Sequence, residues 1–154
     1  NGILDKETDQ IKDFAKVGYE KGIVFDIGHG TDSFNFHVAE TALKAGIKAT
    51  SISTDIYHRN RENGPVYDLA TTMEKLRVVG YSWEEILDKV TNVPAHYFHL
   101  EKKGKLAAGY DADLTIFDLS NGEKTLTDSN GFTRTAKELI KPVKTIIGGT
   151  IYDN

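Results

Sequence analysis

The sequence predicts an α/β fold followed by a small all-β segment, and two observations support this prediction. First, apolar runs at residues 23–27 and 50–53 are too short for helices and alternate with helical patterns, as in a parallel sheet. Second, after residue 100 the pattern changes to short β segments separated by Gly, Asn and Asp. We therefore expect an α/β part at residues 1–100 and a β part at 101–154.

Composition and charge exclude several classes of protein. The 154-residue chain is 39% hydrophobic and 27% charged, as expected of a globular rather than a disordered protein. A net charge of -4 gives no electrostatic footprint for nucleic acid. The absence of cysteine excludes disulfides, cysteine-ligated zinc and thiol catalysis. No apolar run approaches the roughly 18 residues of a membrane span, and no signal peptide is visible, so we expect a cytoplasmic location.

The first elements are a helix and a buried strand. A helix over residues 5–21, with Asp5 as its N-cap, leads into the strand at residues 23–27. The glycines of the Gly28–Gly30 turn then let the backbone bend sharply. We expect this turn to leave the imidazole of His29 exposed at the end of the strand.

A second strand follows through a helix. A very short strand is expected at residues 32–36, then a helix over 37–45 and the strand at 50–53, which leads to Asp55. This βαβ order favours parallel pairing with a right-handed connection. Residues 57–65 are polar and are expected to form a long loop.

The remaining elements are three helices and the β segments. Apolar spacing predicts a helix from Leu69 that ends before Gly80, and SWEE at 82–85 is a capping box that begins the next one. A short helix follows from residue 91. The expected β segments are residues 105–106, 112–118, 124–127 and 143–147.

His29 and Asp55 are the candidate functional residues, because both follow predicted parallel strands. Each signal is weak alone, since such residues often have structural roles. Together, imidazole and carboxylate at one end of a sheet could bind Zn²⁺. A zinc-bound water has a pKa near 7, and a carboxylate beside it can accept the proton. A structural role for both residues is the alternative.

Five segments resemble the amidohydrolase superfamily, in its dihydroorotase-like branch. Members of that branch are described as deacetylases, adenine-deaminase-like enzymes or uncharacterised amidohydrolases. The segments occur in collinear order over nearly the whole chain, and they are VFDIGHG at 24–30, STD at 53–55, GPVYDL at 64–69, VTNVPA at 90–95 and GKLAAGYDADL at 104–114.

The resemblance implies the C-terminal part of a (β/α)₈ TIM barrel, comprising strands 6–8 and their helices, followed by a β-sandwich segment. It assigns His29 to the strand-6 metal ligand, and Asp55 to the strand-8 aspartate that is both metal ligand and general base. The implied cofactor is a divalent metal, Zn²⁺, dinuclear in the full-length parent. The family's other ligands, on strands 1, 4 and 5, have no counterpart here.

Because those ligands would lie upstream of Asn1, and the chain does not begin with methionine, we expect a C-terminal piece of a longer protein. With two ligands of about six, the fragment alone should be inactive. Its expected partners are a small-molecule substrate and either the upstream half of the parent chain or another copy of itself. No nucleic acid or membrane partner is expected.

Other polar residues have two interpretations each. His58, Arg59, Arg61 and Gly64 lie in the loop after the second strand, where this fold places substrate contacts. Solvated loop charge is the alternative. Asp26 could orient His29 as a hydrogen-bond acceptor, or it could be a structural aspartate.

Three functional hypotheses remain open. The first is a metal-dependent hydrolase that cleaves a C–N bond (amide, cyclic amide or amidine, not a peptide bond) or a related ester bond of a small molecule. The alternative is a non-catalytic ligand-binding module whose Gly28–Gly30 loop cradles a phosphate. The chain has neither G-x-G-x-x-G nor G-K-[ST], which disfavours this alternative. A third is a metal-free interaction protein, which would be expected to lack His29 or Asp55.

Overall fold

The structure is a computed structural model, and it describes residues 2–153. No helix within these residues is long and apolar enough to cross a membrane. The strands are β1 Leu4–Asp5, β2 Gln10–Ile11, β3 Asp26–His29, β4 Ser51–Thr54, β5 Leu114–Thr127, β6 Thr133–Ile147 and β7 Thr150–Asp153. The helices are α1 Asp13–Glu20, α2 Phe36–Lys44, α3 His58–Asn63, α4 Leu69–Val79, α5 Trp83–Val90 and α6 Asn92–Tyr97.

The first helix is shorter than predicted. A small antiparallel pair, β1 with β2, precedes it, and α1 begins only at Asp13. The carboxylate of Asp5 does not cap this helix. It accepts the backbone N–H groups of Glu7 and Thr8 at 2.9 and 3.1 Å, which stabilises the turn between β1 and β2 instead.

The predicted βαβ alternation is confirmed. Strands β3 and β4 are parallel neighbours, joined by α2. Strand β3 begins at Asp26, three residues later than predicted. Ile23 and Val24 lie before it and are 59% and 43% exposed. The short strand expected at residues 32–36 is absent. Asn35 there caps α2 by accepting the N–H of Val38 at 3.0 Å.

The helices α4, α5 and α6 form where local signals predict them. Asp68 caps α4 by accepting the N–H of Thr71 at 2.6 Å, and Ser82 and Glu85 make the predicted capping box of α5. The predicted loop at residues 57–65 contains α3, which is a correction. Asn60 stabilises this helix because its side chain accepts the N–H of Tyr57 at 3.0 Å.

The C-terminal part is a three-stranded antiparallel sheet in the order β5-β6-β7. Residues 114–118 of the segment predicted at 112–118, and the segment at 124–127, belong to one strand, β5, which forms a long hairpin with β6. The segment predicted at 105–106 is not a strand, and Leu106 is 87% exposed.

The hairpin packs directly on α4. Leu126, Ala136 and Ile140 of the hairpin share one core cluster with Met73 and Leu76 of α4, and with Phe34, Phe36, Ile52, Tyr81 and Ile86. Buried Glu74 adds polar links, because its carboxylate accepts the N–H of Ile140 at 3.1 Å and contacts Lys124 Nζ at 2.8 Å. The division of the chain into domains near residue 100 stays a prediction.

Candidate functional site

The predicted site residues lie at one end of the parallel pair. His29 is the last residue of β3 and is the register partner of Thr54, the last residue of β4. Asp55 follows directly, and its N–H donates to the carbonyl oxygen of His29 at 2.9 Å. Both residues are therefore at the carboxyl end of the pair, where α/β proteins bind ligands.

Their side chains nevertheless point to opposite faces. Successive side chains of a strand alternate between the two faces of a sheet. Asp26 accepts the hydroxyls of Ser51 and Ser53 at 2.6 and 2.5 Å, which defines one polar face. Ile52 lies on the other face and belongs to the core cluster. His29 is three residues after Asp26, so its side chain points to this buried face as well.

Asp55 lies on the polar face. A Cβ atom placed on Gly28 would come within 3.3 Å of Ser53 Oγ, so this glycine faces the polar side. A Cβ atom placed on Gly30 would come within 3.1 Å of Asp55 Oδ2. Since Asp55 is exposed and His29 is fully buried beneath the strands, the two side chains do not converge on one cation.

His29 is held in the core by two partners. Its Nδ1 lies 3.0 Å from the carbonyl oxygen of Gly30, which can only accept, so Nδ1 carries the proton. Its Nε2 is then free to accept from Lys75 Nζ, which lies 2.6 Å away. The ring also packs on Phe34, with centroids 4.8 Å apart. The prediction of an exposed imidazole is wrong.

Burial sets the charge state of this pair. Burial, and then the Lys75 ammonium, lower the pKa of His29 to about 4, so the imidazole is neutral. Burial also lowers the pKa of Lys75 to about 8. Because the Nε2 lone pair is engaged by an ammonium, His29 has no free nitrogen for a metal, and the assignment of His29 as a ligand is corrected.

The strand order agrees with this correction. In a (β/α)₈ barrel consecutive strands are neighbours. Only α2 separates β3 from β4, and the two strands pair directly. A chain whose β4 corresponded to the eighth strand would therefore have β3 as the seventh, and not as the sixth, to which the resemblance assigned His29.

Asp26 does not orient His29. Its carboxylate is bonded to the serines of β4, on the face opposite to the imidazole. The expected hydrogen bond between the two side chains is therefore excluded by the alternation of the strand, and Asp26 instead links β3 to β4.

The loop residues predicted to bind substrate lie on or just after α3. The side chains of His58 and Arg61 are 82% and 63% exposed, and both approach Glu62, at 3.2 and 4.0 Å. Arg59 is exposed, and Gly64 ends the helix with φ +74°. Because α3 follows β4 directly, these residues are close in sequence to Asp55 at the carboxyl end. Their role in substrate binding stays a prediction.

Asp55 is the one predicted metal ligand whose position suits that role. Its carboxylate is exposed and makes no hydrogen bond or ion pair to the described residues. Within residues 2–153, no group of three or more His, Cys, Asp or Glu side chains is arranged to hold a metal. Zinc sites normally need three or four protein ligands, so Asp55 could supply one ligand of a site completed by residues from elsewhere.

The Gly28–Gly30 turn is closed on itself. Its N–H at Gly30 donates to Ser33 Oγ at 2.6 Å, and that hydroxyl donates to the carbonyl oxygen of Gly28 at 2.7 Å. The Gly30 N–H, which would donate to a phosphate in the ligand-binding alternative, therefore already has Ser33 Oγ as its acceptor.

Several known proteins match this chain. A family model described as "Deacetylase-like composite domain" matches residues 106–153. A protein named deacetylase from Enterococcus faecalis is 75% identical over 154 residues, which are 42% of its length. A deacetylase from Brucella anthropi is 42% identical over 148 residues, which are 37% of its length. The chain thus spans about two fifths of the curated relatives it matches, in their C-terminal part.

Two solved structures also match. One, described as an adenine deaminase, has a TM-score of 0.96 and 75% identity, and the match covers 99% of this chain and 41% of that one. Another, described as a dihydroorotase, has a TM-score of 0.81 and 41% identity, and the match covers 91% of this chain and 37% of that one.

Proposed function

We propose, from the confirmed resemblance of this chain to the amidohydrolase superfamily, that it is the C-terminal portion of a metal-dependent hydrolase. The proposed reaction cleaves a C–N bond of an amide, cyclic amide or amidine, or a related ester bond, in a small molecule. The observation that carries the proposal is the exposed Asp55 carboxylate at the carboxyl end of two parallel strands, in a chain 75% identical to a named deacetylase.

Asp55 has two proposed roles. It supplies one carboxylate to a divalent metal, for which we propose Zn²⁺ in a dinuclear site, and it accepts a proton from the attacking water. The metal, when bound, lowers the pKa of that water toward 7. The main chain of Asp55 is fixed from both sides, since its N–H donates to His29 and its carbonyl oxygen accepts Asn60 Nδ2 at 2.8 Å. This restraint fixes the main-chain position from which the carboxylate projects.

We further propose that β3 and β4 are the last two strands of a (β/α)₈ barrel. Parallel sheets occur almost only with both faces covered. Here the face that carries Asp26, Ser53 and Asp55 is exposed, so it lacks a covering layer within the described residues. The upstream part of a longer chain, or another copy, would supply that layer and the missing ligands.

The basic residues of α3 give the proposal a candidate substrate contact. Arg59 and Arg61 are exposed beside the loop that follows β4, where barrel enzymes bind substrates. A guanidinium can bind a substrate carboxylate or carbonyl oxygen, with His58 and Gly64 at the same rim.

The test is metal analysis of the full-length protein that contains this chain. We expect it to purify with stoichiometric divalent metal and to hydrolyse members of a panel of N-acylated amines, cyclic amides and aminopurines. Chelation should abolish the activity, and added Zn²⁺ should restore it. A full-length protein that neither contains nor binds a divalent metal would overturn the proposal.

A further inference from the structure

The turn between β5 and β6, residues 128–132, contacts the segment that follows β3, residues 30–36. Ser129 makes three of these contacts. Its N–H donates to the carbonyl oxygen of Phe34 at 3.0 Å, and its Oγ accepts the N–H of Phe34 at 3.1 Å. The same hydroxyl donates to the carbonyl oxygen of Gly30 at 3.0 Å. The Ser129 hydroxyl thus bridges Gly30 and Phe34.

The turn itself is rigid. Asp128 is 2% exposed, and its Oδ1 accepts the N–H groups of Asn130 and Phe132 at 2.8 and 2.9 Å. Its other oxygen accepts the N–H of Phe36, the first residue of α2, at 3.0 Å. The bonds to Asn130 and Phe132 fix the shape of the turn, and the bond to Phe36 ties it to the start of α2.

Gly30 connects this turn to Asp55. On one side its carbonyl oxygen accepts hydrogen bonds from Ser129 Oγ and from His29 Nδ1. On the other side its Cα faces Ser33 and Asp55 closely, since an added Cβ would lie 3.0 Å from Ser33 Oγ, 3.1 Å from Asp55 Oδ2 and 3.2 Å from the Asp55 Cβ. Asp55 is also tied to this backbone, because its N–H donates to the carbonyl oxygen of His29, in the peptide unit that precedes Gly30. A shift of Gly30 by a few tenths of an ångström therefore changes the space beside the Asp55 side chain.

We propose that Ser129 is a positioning residue for Asp55, acting through Gly30. The inference rests on the proposed function, in which the Asp55 carboxylate binds the metal. Ser129 need not touch metal or substrate, and its contribution comes from the β part of the chain. Partners that orient metal ligands from outside the coordination shell typically contribute 10–100-fold to metal affinity or activity.

The test uses Ser129→Ala and Ser129→Thr in the full-length protein, with Ser120→Ala, an exposed serine of β5, as the matched control. Competition titration of the apoprotein with Zn²⁺ should show about a tenfold weaker affinity for Ser129→Ala. Ser129→Thr keeps the hydroxyl and should restore most of the affinity, and Ser120→Ala should match wild type. Hydrogen exchange at the Phe34 amide, which loses its acceptor, should accelerate in Ser129→Ala only.

A second variant approaches the same contact from Gly30. Gly30→Ala leaves Ser129 intact but places a methyl group 3.0 Å from Ser33 Oγ and 3.1 Å from Asp55 Oδ2, so it should weaken Zn²⁺ binding by a similar factor. A folded Ser129→Ala protein with Zn²⁺ affinity within about twofold of wild type would overturn the inference. Failure of the proposed function looks different, because the wild type itself would then bind no Zn²⁺.

Discussion

Lys75 Nζ lies 2.6 Å from His29 Nε2, and both side chains are fully buried. The same ammonium donates to the carbonyl oxygen of Pro65 at 2.5 Å. One lysine of α4 thus joins the end of β3 to the segment that follows α3. Buried lysines are rare unless their ammonium groups have hydrogen-bond acceptors, and here the acceptors are an imidazole nitrogen and a backbone carbonyl.

The pH dependence of stability should report the Lys75 ammonium. Burial lowers its pKa from 10.5 to about 8 in the folded protein, whereas the unfolded chain keeps the ordinary value. Between these two values the unfolded state binds more protons, so the free energy of unfolding rises with pH. The rise from this group is about 3–4 kcal/mol, at about 1.4 kcal/mol per pKa unit.

The measurement compares wild type with Lys75→Met by urea unfolding of the full-length protein from about pH 7 to pH 10.5. The difference in free energy of unfolding should move in favour of wild type as the pH rises. Lys105→Met, at an exposed lysine, is the matched control. A difference that stays constant across this range would show that Lys75 is not held with a lowered pKa.

The contact between Lys75 and His29 should also appear as energetic coupling. His29→Leu leaves the buried ammonium without its imidazole acceptor, so it should destabilise the protein more than Leu packing alone would predict. In the double variant with Lys75→Met no unpaired charge remains. We expect a coupling energy of about 1–3 kcal/mol from the double-mutant cycle, measured by urea unfolding. Additive effects would indicate that the two side chains do not interact.

Local signals explain which parts of the fold the sequence predicted. Asp68 and the Ser82–Glu85 box mark the starts of α4 and α5, and these signals act within one turn of helix. The strand–helix–strand order of β3, α2 and β4 likewise predicted the parallel pair. The N-terminal helix was overpredicted because Asp5 stabilises a turn as readily as a helix start.

The geometry of the site was less predictable, for a physical reason. Successive side chains of a strand point to opposite faces of the sheet. His29 was predicted to lie in an exposed turn, but it is the last residue of β3, and its side chain therefore points to the buried face. The sequence did not indicate that Lys75 is buried. Lysine is usually exposed, so its position on the buried side of α4 could not be expected from its type. The contact of Ser129 with Gly30 joins residues 99 positions apart, beyond the reach of any local pattern.

Metal content should separate His29 from Asp55. Asp55→Asn keeps the shape of the side chain but removes its charge and its proton acceptor, so activity of the full-length protein should fall by about 100-fold or more, and metal content should fall as well. His29→Leu should retain metal in the folded fraction, because the imidazole faces the core. Both are measured by elemental analysis and steady-state kinetics.

The matched control is Asp118→Asn, an exposed aspartate of β5. It should retain wild-type metal content and turnover. Near-normal turnover in Asp55→Asn would remove Asp55 from the role of base. Loss of metal from folded His29→Leu, with Asp55 intact, would show that the imidazole reaches the metal after all.

The last prediction concerns the 154-residue chain by itself. Its parallel sheet has only β3 and β4 within the described residues, so backbone groups at the outer edges of both strands lack strand partners. Apolar side chains are exposed as well, including Ile23 at 59%, and Ile147 and Ile151 of the C-terminal sheet at 58% and 60%. Covering such surface stabilises a complex by about 25 cal/mol per Å². A net charge of -4 opposes association only weakly.

We therefore expect the isolated chain to associate with a second copy or with the upstream part of a longer protein. Sedimentation velocity of the purified 17.1 kDa chain should show dimers or larger species. Mixing with the separately expressed upstream part should convert these species to a single complex, because under the proposed barrel architecture that part would cover the same surfaces. A monodisperse monomer that melts cooperatively would show that the two-stranded sheet is stable without any covering layer.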